Sequence, residues 1–323
     1  MKKILGIGSA LVDILIRLDD ERPLSVLDLP KGSMQLVDKE RSENVLNHFR
    51  THHRSLAAGG SAANTVHGIG KLGGHAGFLG VIGRDELGGH FSADMKDAGV
   101  ELHMMTSDTA TGRTITLITP DSERTFATWL GAASELSSFP LRKEVFSAYD
   151  LLHMEGYLVY DHEMVERLLH MAREAGMMIS LDLASYNVVE ANRDFLHHIV
   201  KKYIDIVFAN EEEGRAFSGG DPREALEALG DMTTVAVVKT GSKGSMVKSS
   251  GQVTEVHAIP AHVIDTTGAG DLYASGFLYG FMNDLPLAEC GRLGSILGGS
   301  VIEVIGAKPD PGRWNSIRNQ VFR

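Results

Sequence analysis

The chain has 323 residues, 43% of them hydrophobic and 23% charged, which is an ordinary globular composition with room for one large α/β domain or a domain with a smaller companion. Its 31 Lys and Arg against 42 Asp and Glu give a formal net charge of -11, which argues against nucleic acid or an anionic membrane as partner and makes any phosphate binding a local matter. A single cysteine, Cys290, excludes an intramolecular disulfide and a thiolate metal cluster and fits a reducing, cytoplasmic setting.

Residues 1–8 are basic and then apolar, but Asp13, Arg17, Asp19 and Asp20 soon break the apolar run, so the segment reads as a first strand and not as a signal peptide. No stretch approaches the roughly 18 uncharged apolar residues of a membrane span. Gly6-Ile7-Gly8 begins like a dinucleotide fingerprint, yet the third glycine and the following helix are both missing. Residues 12–18 read as a strand. His48 and His52 have metal-ligand spacing on a helix, but no third ligand is evident and a solvated face is expected. Residues 113–118 and 124–130 read as strands joined by a turn at 119–123, a hairpin. The Met pairs 104–105 and 177–178 read as packing.

From residue 149 the pattern alternates: strand 149–154, helix 163–174 with Met164, Leu168 and Met171 on one face, strand 177–183, helix 192–202, strand 204–209, helix 222–229, strand 235–238. Near-continuous apolar strands separated by helices predict a doubly wound, mostly parallel α/β sheet covered on both faces. Segments 11–50 and 102–131 lack such helices and are expected to form a small β-rich lid. The core is then expected to comprise 1–10, 51–101 and 132–323. Exposed lid edges leave two arrangements open, a monomer or a homodimer paired through the lid.

Two glycine clusters carry the chemistry. Asp265-Thr266-Thr267-Gly268-Ala269-Gly270-Asp271 opens a helix expected to be amphipathic, so free N–H groups and the positive end of the helix dipole face outward together. That is an anion site, and it holds a carboxylate, Asp271, where a phosphate would be the natural occupant. Asp271 reads either as a proton acceptor beside a transferred phosphate or as a cap on its own helix. Gly59-Gly60-Ser61-Ala62-Ala63-Asn64 precedes a second helical stretch; its glycines admit a ligand close to the backbone, and Asn64 offers a donor and an acceptor to a hydroxylated ligand.

Together these clusters, with Gly73 and Gly83 at their spacing, resemble the two signatures of the ribokinase-like (PfkB) carbohydrate and nucleoside kinases, and the similarity extends over nearly the whole chain. One position departs: Val66 stands where a small residue is usual, which bears on helix packing. The resemblance implies a ribokinase-like fold and ATP-dependent phosphoryl transfer. It makes Asp271 the base and the backbone N–H groups of Gly268, Ala269 and Gly270 the anion hole, each such donor being worth about 3–4 kcal/mol of transition-state stabilisation.

Other roles follow from the same resemblance. Asp13 would accept two adjacent hydroxyls of the substrate, the reading preferred over an outward-facing strand residue alternating with Val12 and Ile14. Asn210 and Glu213 would help hold Mg2+ and phosphates, usually through water, although Glu211, Glu212 and Glu213 could equally be a solvated helix start. Lys239, Gly241 and Gly244 would line the nucleotide, or form a simple hairpin turn, or both. Asp265 and Thr267, with backbone near Gly306, are the place for a monovalent cation such as K+. Ser61 after the paired glycines, the segment 31–34 and the stretch 128–133 are more similar to adenosine kinases than to ribokinases. The substrate expected is therefore a nucleoside, adenosine first; a ribokinase- or fructokinase-type sugar kinase and a silent ligand-binding homologue are the alternatives.

Overall fold

The computed structural model describes residues 2–121 and 123–322. Met1 and Ser122, which belonged to the expected first-strand segment and hairpin turn, lie outside the described residues.

Nine strands form one sheet in the order Gln252–Val256, Ser245–Ser249, Val235–Lys239, Ile206–Asn210, Met178–Asp182, Leu151–Glu155, Lys3–Ile7, His75–Gly83, Val100–Ser107. The pairings from Val235–Lys239 to Val100–Ser107 are parallel, and the two at the other edge are antiparallel. Side-chain alternation buries both faces. Leu5 and Ile7 pack with helices His162–Glu174 and Arg193–Tyr203, while Ile4 packs on the opposite face with helices Ser61–Lys71, Glu86–Asp97 and Ala269–Met282. This is the doubly wound α/β sheet that the strand–helix alternation predicts.

Five strands form the smaller sheet, in the order Met34–Leu36, Arg124–Gly131, Thr111–Ile118, Leu11–Arg17, Ser55–Gly59. The predicted hairpin is present, with Thr111–Ile118 antiparallel to Arg124–Gly131. The expected boundaries shift at two places. Ser55–Gly59, expected in the core, pairs antiparallel with Leu11–Arg17 in the small sheet, and Val100–Ser107, most of it expected in the lid, is the edge strand of the large sheet. Periodicity alone does not say which sheet an edge strand joins; the pairing does. The small sheet is also not bare: helix Lys39–His48 covers one face, burying Val45 and Phe49 against Ile14, Ile16, Ile115 and Leu117. That helix stops at His48, so His52 lies beyond it and the two histidines do not share a helix face.

The helix Ala269–Met282 is not amphipathic. Leu272, Tyr273, Ala274, Phe277 and Leu278 are all buried, because helices Ser61–Lys71 and Leu287–Val301 enclose it. Close approach to the latter requires Gly276, where a Cβ would lie 2.4 Å from the Leu293 carbonyl oxygen. Val66, the residue larger than its resemblance suggested, is fully buried; it fits because Gly6 has no side chain, and a Cβ there would come within 2.6 Å of Val66 Cγ1.

Candidate active site

The turn before helix Ala269–Met282 is set by Gly268, whose φ of 75° is left-handed and whose missing Cβ would lie 2.5 Å from that of Ala307. Among the described residues the N–H groups of Gly268 and Gly270 meet no acceptor, whereas Ala269 N–H donates to the Thr266 carbonyl at 3.1 Å. Of the three expected anion-hole donors, two are therefore free and Ala269 is engaged in the turn. Asp265 braces the same turn. Its Oδ1 accepts from Thr267 N (3.0 Å), its Oδ2 accepts from Gly306 N (2.6 Å), and Arg124 Nη2 pairs with Oδ2 at 2.7 Å. The carboxylate expected to face a monovalent cation is thus already paired with a guanidinium.

Asp271 sits in the first turn of the helix, but among the described residues it does not cap its own backbone. Its Oδ1 accepts from Ser61 Oγ (2.7 Å) and its Oδ2 from Asn64 Nδ2 (2.9 Å), two residues of the first glycine cluster. Thr65 Oγ1 adds a bond to the Asp271 carbonyl at 3.1 Å. Burial pushes the Asp271 carboxyl up to about 7; the bonds from Asn64 and Ser61 oppose that rise, and the charge of Asp182 adds to it. Helix Ser61–Lys71 is positioned in turn by Gly60, whose φ of 101° brings its backbone against the Ser9 carbonyl. Its N-terminus is bound by a foreign carboxylate, Glu155, which accepts from Ala62 N (3.1 Å) and Ser9 N (2.8 Å).

Four adjacent parallel strands end in polar residues at this edge: Glu155, Asp182, Asn210 and Lys239. Lys239 Nζ pairs with Asp182 Oδ2 at 2.9 Å. Asn210 and Glu213 form a capping box in which Glu213 accepts from Asn210 N (2.8 Å) and Asn210 Nδ2 (2.7 Å), so both Glu213 oxygens are used. Burial raises the Glu213 carboxyl to about 7, with Lys239 opposing, and burial also raises that of Glu155. The hydroxyl of Tyr157 is raised by burial and by the charges of Asp271 and Glu155. Beyond Lys239, Gly241 leaves its backbone open with a φ of 56°, while Gly244 is glycine for packing, since a Cβ would lie 1.9 Å from the Val256 carbonyl oxygen.

Asp13 faces the small sheet's other side, away from helix Lys39–His48. A Cβ on Gly59 would lie 2.7 Å from Asp13 Oδ2, so the first of the paired glycines makes room for this carboxylate. Burial raises Asp13 to about 6, against the opposing charges of Lys308 and Arg124 and a bond from Thr114. The strand registers line up two rows on this face, Asp13-Thr114-Thr128-Leu36 and Leu15-Thr116-Phe126-Met34. Leu36 and Met34 are 62% and 49% exposed at the open end. A separate cavity of about 540 Å³, lined by His67, Lys308 and Trp314 among others, does not reach Asp271.

Residues 32–312 match the model of the pfkB family carbohydrate kinases. The chain belongs to the pfkB kinase family. A probable sugar kinase protein from Rhizobium etli CFN 42 superimposes with a TM-score of 0.89 at 32% identity, covering 98% of each chain. The adenosine kinase from Sinorhizobium meliloti does so at 0.87 and 33%, covering 98% of this chain and 99% of that one. A 5-dehydro-2-deoxygluconokinase from Bacillus velezensis is 30% identical over 259 residues, 75% of this chain and 78% of the relative. The fold of this kinase is thus the ribokinase-like one, and its kinship spans sugar and nucleoside phosphotransferases.

The fold of the pfkB kinase brings Asp271, Gly268, Gly270, Gly60 and Asn64 together, with Asn210, Glu213 and Lys239 on the adjoining sheet edge and Asp13 on the facing small sheet. Sequence reasoning missed Glu155, Asp182 and Arg124. The first two had a legible signal, since each ends an apolar run at the carboxyl end of a strand, as Asn210 and Lys239 do. Arg124 had none, because its partners Asp265 and Thr267 are more than 140 positions away.

Proposed function

We propose that this pfkB kinase transfers the γ-phosphoryl group of ATP to a primary hydroxyl of a nucleoside, adenosine first. One observation carries the reading: the Asp271 carboxylate, held by Ser61 and Asn64, stands beside two unengaged backbone donors, Gly268 and Gly270. Asp271 removes the hydroxyl proton as the oxygen attacks phosphorus, and the two N–H groups receive the phosphoryl oxygens. A carboxylate near 7 is matched to that task at neutral pH.

The acceptor assignment is supported by the small-sheet face. Asp13 takes two adjacent hydroxyls, and the buried Asn64 Oδ1, unpartnered among the described residues, accepts a further hydroxyl. From Asp13 the first row runs three strand spacings, about 14 Å, to Leu36, with Phe126 and Met34 in the row beside it. This exposed apolar margin suits a base and gives a bare pentose nothing to touch. The sheet thereby acts as a lid over the substrate.

The lysine and glycines at 239, 241 and 244 lie where the nucleotide would run, past the carboxyl ends of the strands. Mg2+ would accompany the nucleotide, neutralising its phosphates. Because Asn210 takes both Glu213 oxygens, these residues fit a hydrated ion met through water better than a direct ligand. The kinase is proposed to act in the cytoplasm, as a monomer or a homodimer joined at the lid; among the described residues no helix is long and apolar enough to cross a membrane.

The 30% identity to a 5-dehydro-2-deoxygluconokinase favours a second reading, a sugar or sugar-acid acceptor. A coupled ATP-consumption screen over adenosine, other nucleosides, ribose, fructose and 5-dehydro-2-deoxygluconate separates the two. Turnover on free sugars alone would remove the nucleoside assignment. In the same assay Asp271→Asn should lower kcat by about 10³-fold while acceptor still binds, and undiminished turnover would remove Asp271 as the base; acceptor and ATP binding with no turnover on any compound of the screen would instead favour a silent ligand-binding homologue.

A further inference from the structure

We propose that Lys239 is a catalytic residue whose ammonium group, anchored by Asp182, contacts the phosphoryl group while it occupies the Gly268–Gly270 turn. The proposal rests on the phosphotransfer reading above and takes Lys239 from the rim of a nucleotide loop into the reacting centre.

The geometry is local and specific. Lys239 ends its strand, and its stem carries Nζ toward the anion turn, so that a Cβ on Gly270 would lie only 3.0 Å from it. Any larger residue at 270 would thus press on the ammonium. One of its three N–H donors is taken by Asp182 Oδ2 at 2.9 Å, and among the described residues the other two have no partner. Asp182 is itself fixed, since its Oδ1 accepts from Ala184 N at 3.0 Å. The two side chains are 14% and 7% exposed.

The charge around this ammonium is lopsided. Glu155, Asp182, Glu213 and Asp271 gather at the same sheet edge, and Lys239 is the cation whose field opposes the rise of both Asp271 and Glu213. A phosphoryl group entering here brings negative charge on three equatorial oxygens into a nest of carboxylates. The free Gly268 and Gly270 N–H groups supply partial charges; Lys239 supplies a full one in a largely dry place, where it counts for most. Burial works against its charge, yet the neighbouring carboxylates, Asp182 foremost, hold it protonated.

In the step itself the acceptor hydroxyl oxygen bonds to phosphorus as the bond from phosphorus to the bridging oxygen of the nucleotide breaks, its electron pair leaving on the diphosphate. The hydroxyl proton passes to Asp271. Lys239 keeps its proton throughout and donates a hydrogen bond to an equatorial oxygen.

A lysine that merely neutralises Asp182 would make different predictions. The test compares Lys239→Met and Lys239→Gln with the unaltered protein in three measurements: affinity for ADP, affinity for ADP with aluminium fluoride as a planar phosphoryl mimic, and turnover with whichever acceptor of the screen reacts fastest. The expected result is ADP affinity within about threefold, loss of about 100-fold in the extra affinity conferred by aluminium fluoride, and a kcat lower by about 10²–10³-fold with acceptor KM little changed. In Lys239→Ala, added ethylamine should restore part of the turnover. Equal losses for ADP and ADP with aluminium fluoride, or a kcat within threefold of the unaltered protein, would overturn the assignment. The fluoride comparison needs no acceptor, so it decides the role of Lys239 even if no acceptor in the screen reacts, an outcome that would count against the proposed function instead.

Discussion

Removing one hydrogen bond at Asp271 should move the pH at which the kinase loses activity. Ser61 Oγ donates to Oδ1 at 2.7 Å in a buried setting. A hydrogen bond to a charged group contributes about 1.5–3 kcal/mol, and it favours the ionised carboxylate. At about 1.4 kcal/mol per pH unit, Ser61→Ala should raise the carboxyl from about 7 by one to two pH units. The sign follows from the role: the base works deprotonated, so activity falls as pH drops through its titration, and raising that point shifts the acid limb to higher pH. With a one-unit rise, the deprotonated fraction at pH 7 drops by about fivefold and recovers by pH 9. The assay is kcat/KM against pH for both proteins, with ATP saturating. An acid limb that stays near 7 in Ser61→Ala, or an unaltered protein whose rate is flat down to pH 5, would refute the reasoning.

Other outcomes test the frame around the base. Arg124→Gln leaves Asp265 buried without its guanidinium, and losing one member of such a pair costs about 3–5 kcal/mol, read as a lower melting temperature. Because the guanidinium already occupies that carboxylate, potassium should stimulate the unaltered protein less than it stimulates Arg124→Gln. Gly6→Ala drives a methyl into Val66 and should cost about 1–3 kcal/mol by denaturant unfolding, with much of the loss recovered in Gly6→Ala/Val66→Ala. Burial depresses His153 to about 4, so the folded state resists a proton that the unfolded chain accepts below about 6.5. Its contribution to stability is present above that pH and is lost as pH falls toward 4, by up to about 3 kcal/mol. His153→Leu should flatten the melting temperature over that interval.

The α/β core was legible because its signals are local: apolar runs such as 235–238 and helix faces such as Met164, Leu168 and Met171 announce themselves within a dozen residues. The glycine clusters were legible for the same reason. What escaped was non-local. Residues 55–59 fall in the expected core and most of 100–107 in the expected lid, but which sheet they join depends on partners such as Leu11–Arg17 and His75–Gly83. The helix Ala269–Met282 looked amphipathic until a third helix, Leu287–Val301, closed over its remaining side. Within the turn, the engagement of Ala269 N–H by Thr266 depends on backbone angles that residue types at that spacing leave open.

The grip of Ser61 and Asn64 on Asp271 joins side chains 210 and 207 positions apart. During synthesis the first glycine cluster emerges early and waits, since the residue it holds leaves the ribosome only after five-sixths of the chain has been made. On the role proposed for Asp271, catalytic competence requires helix Ala269–Met282 to dock against helix Ser61–Lys71. In a refolding experiment, regained turnover should report this long-range closure of the first glycine cluster onto the second.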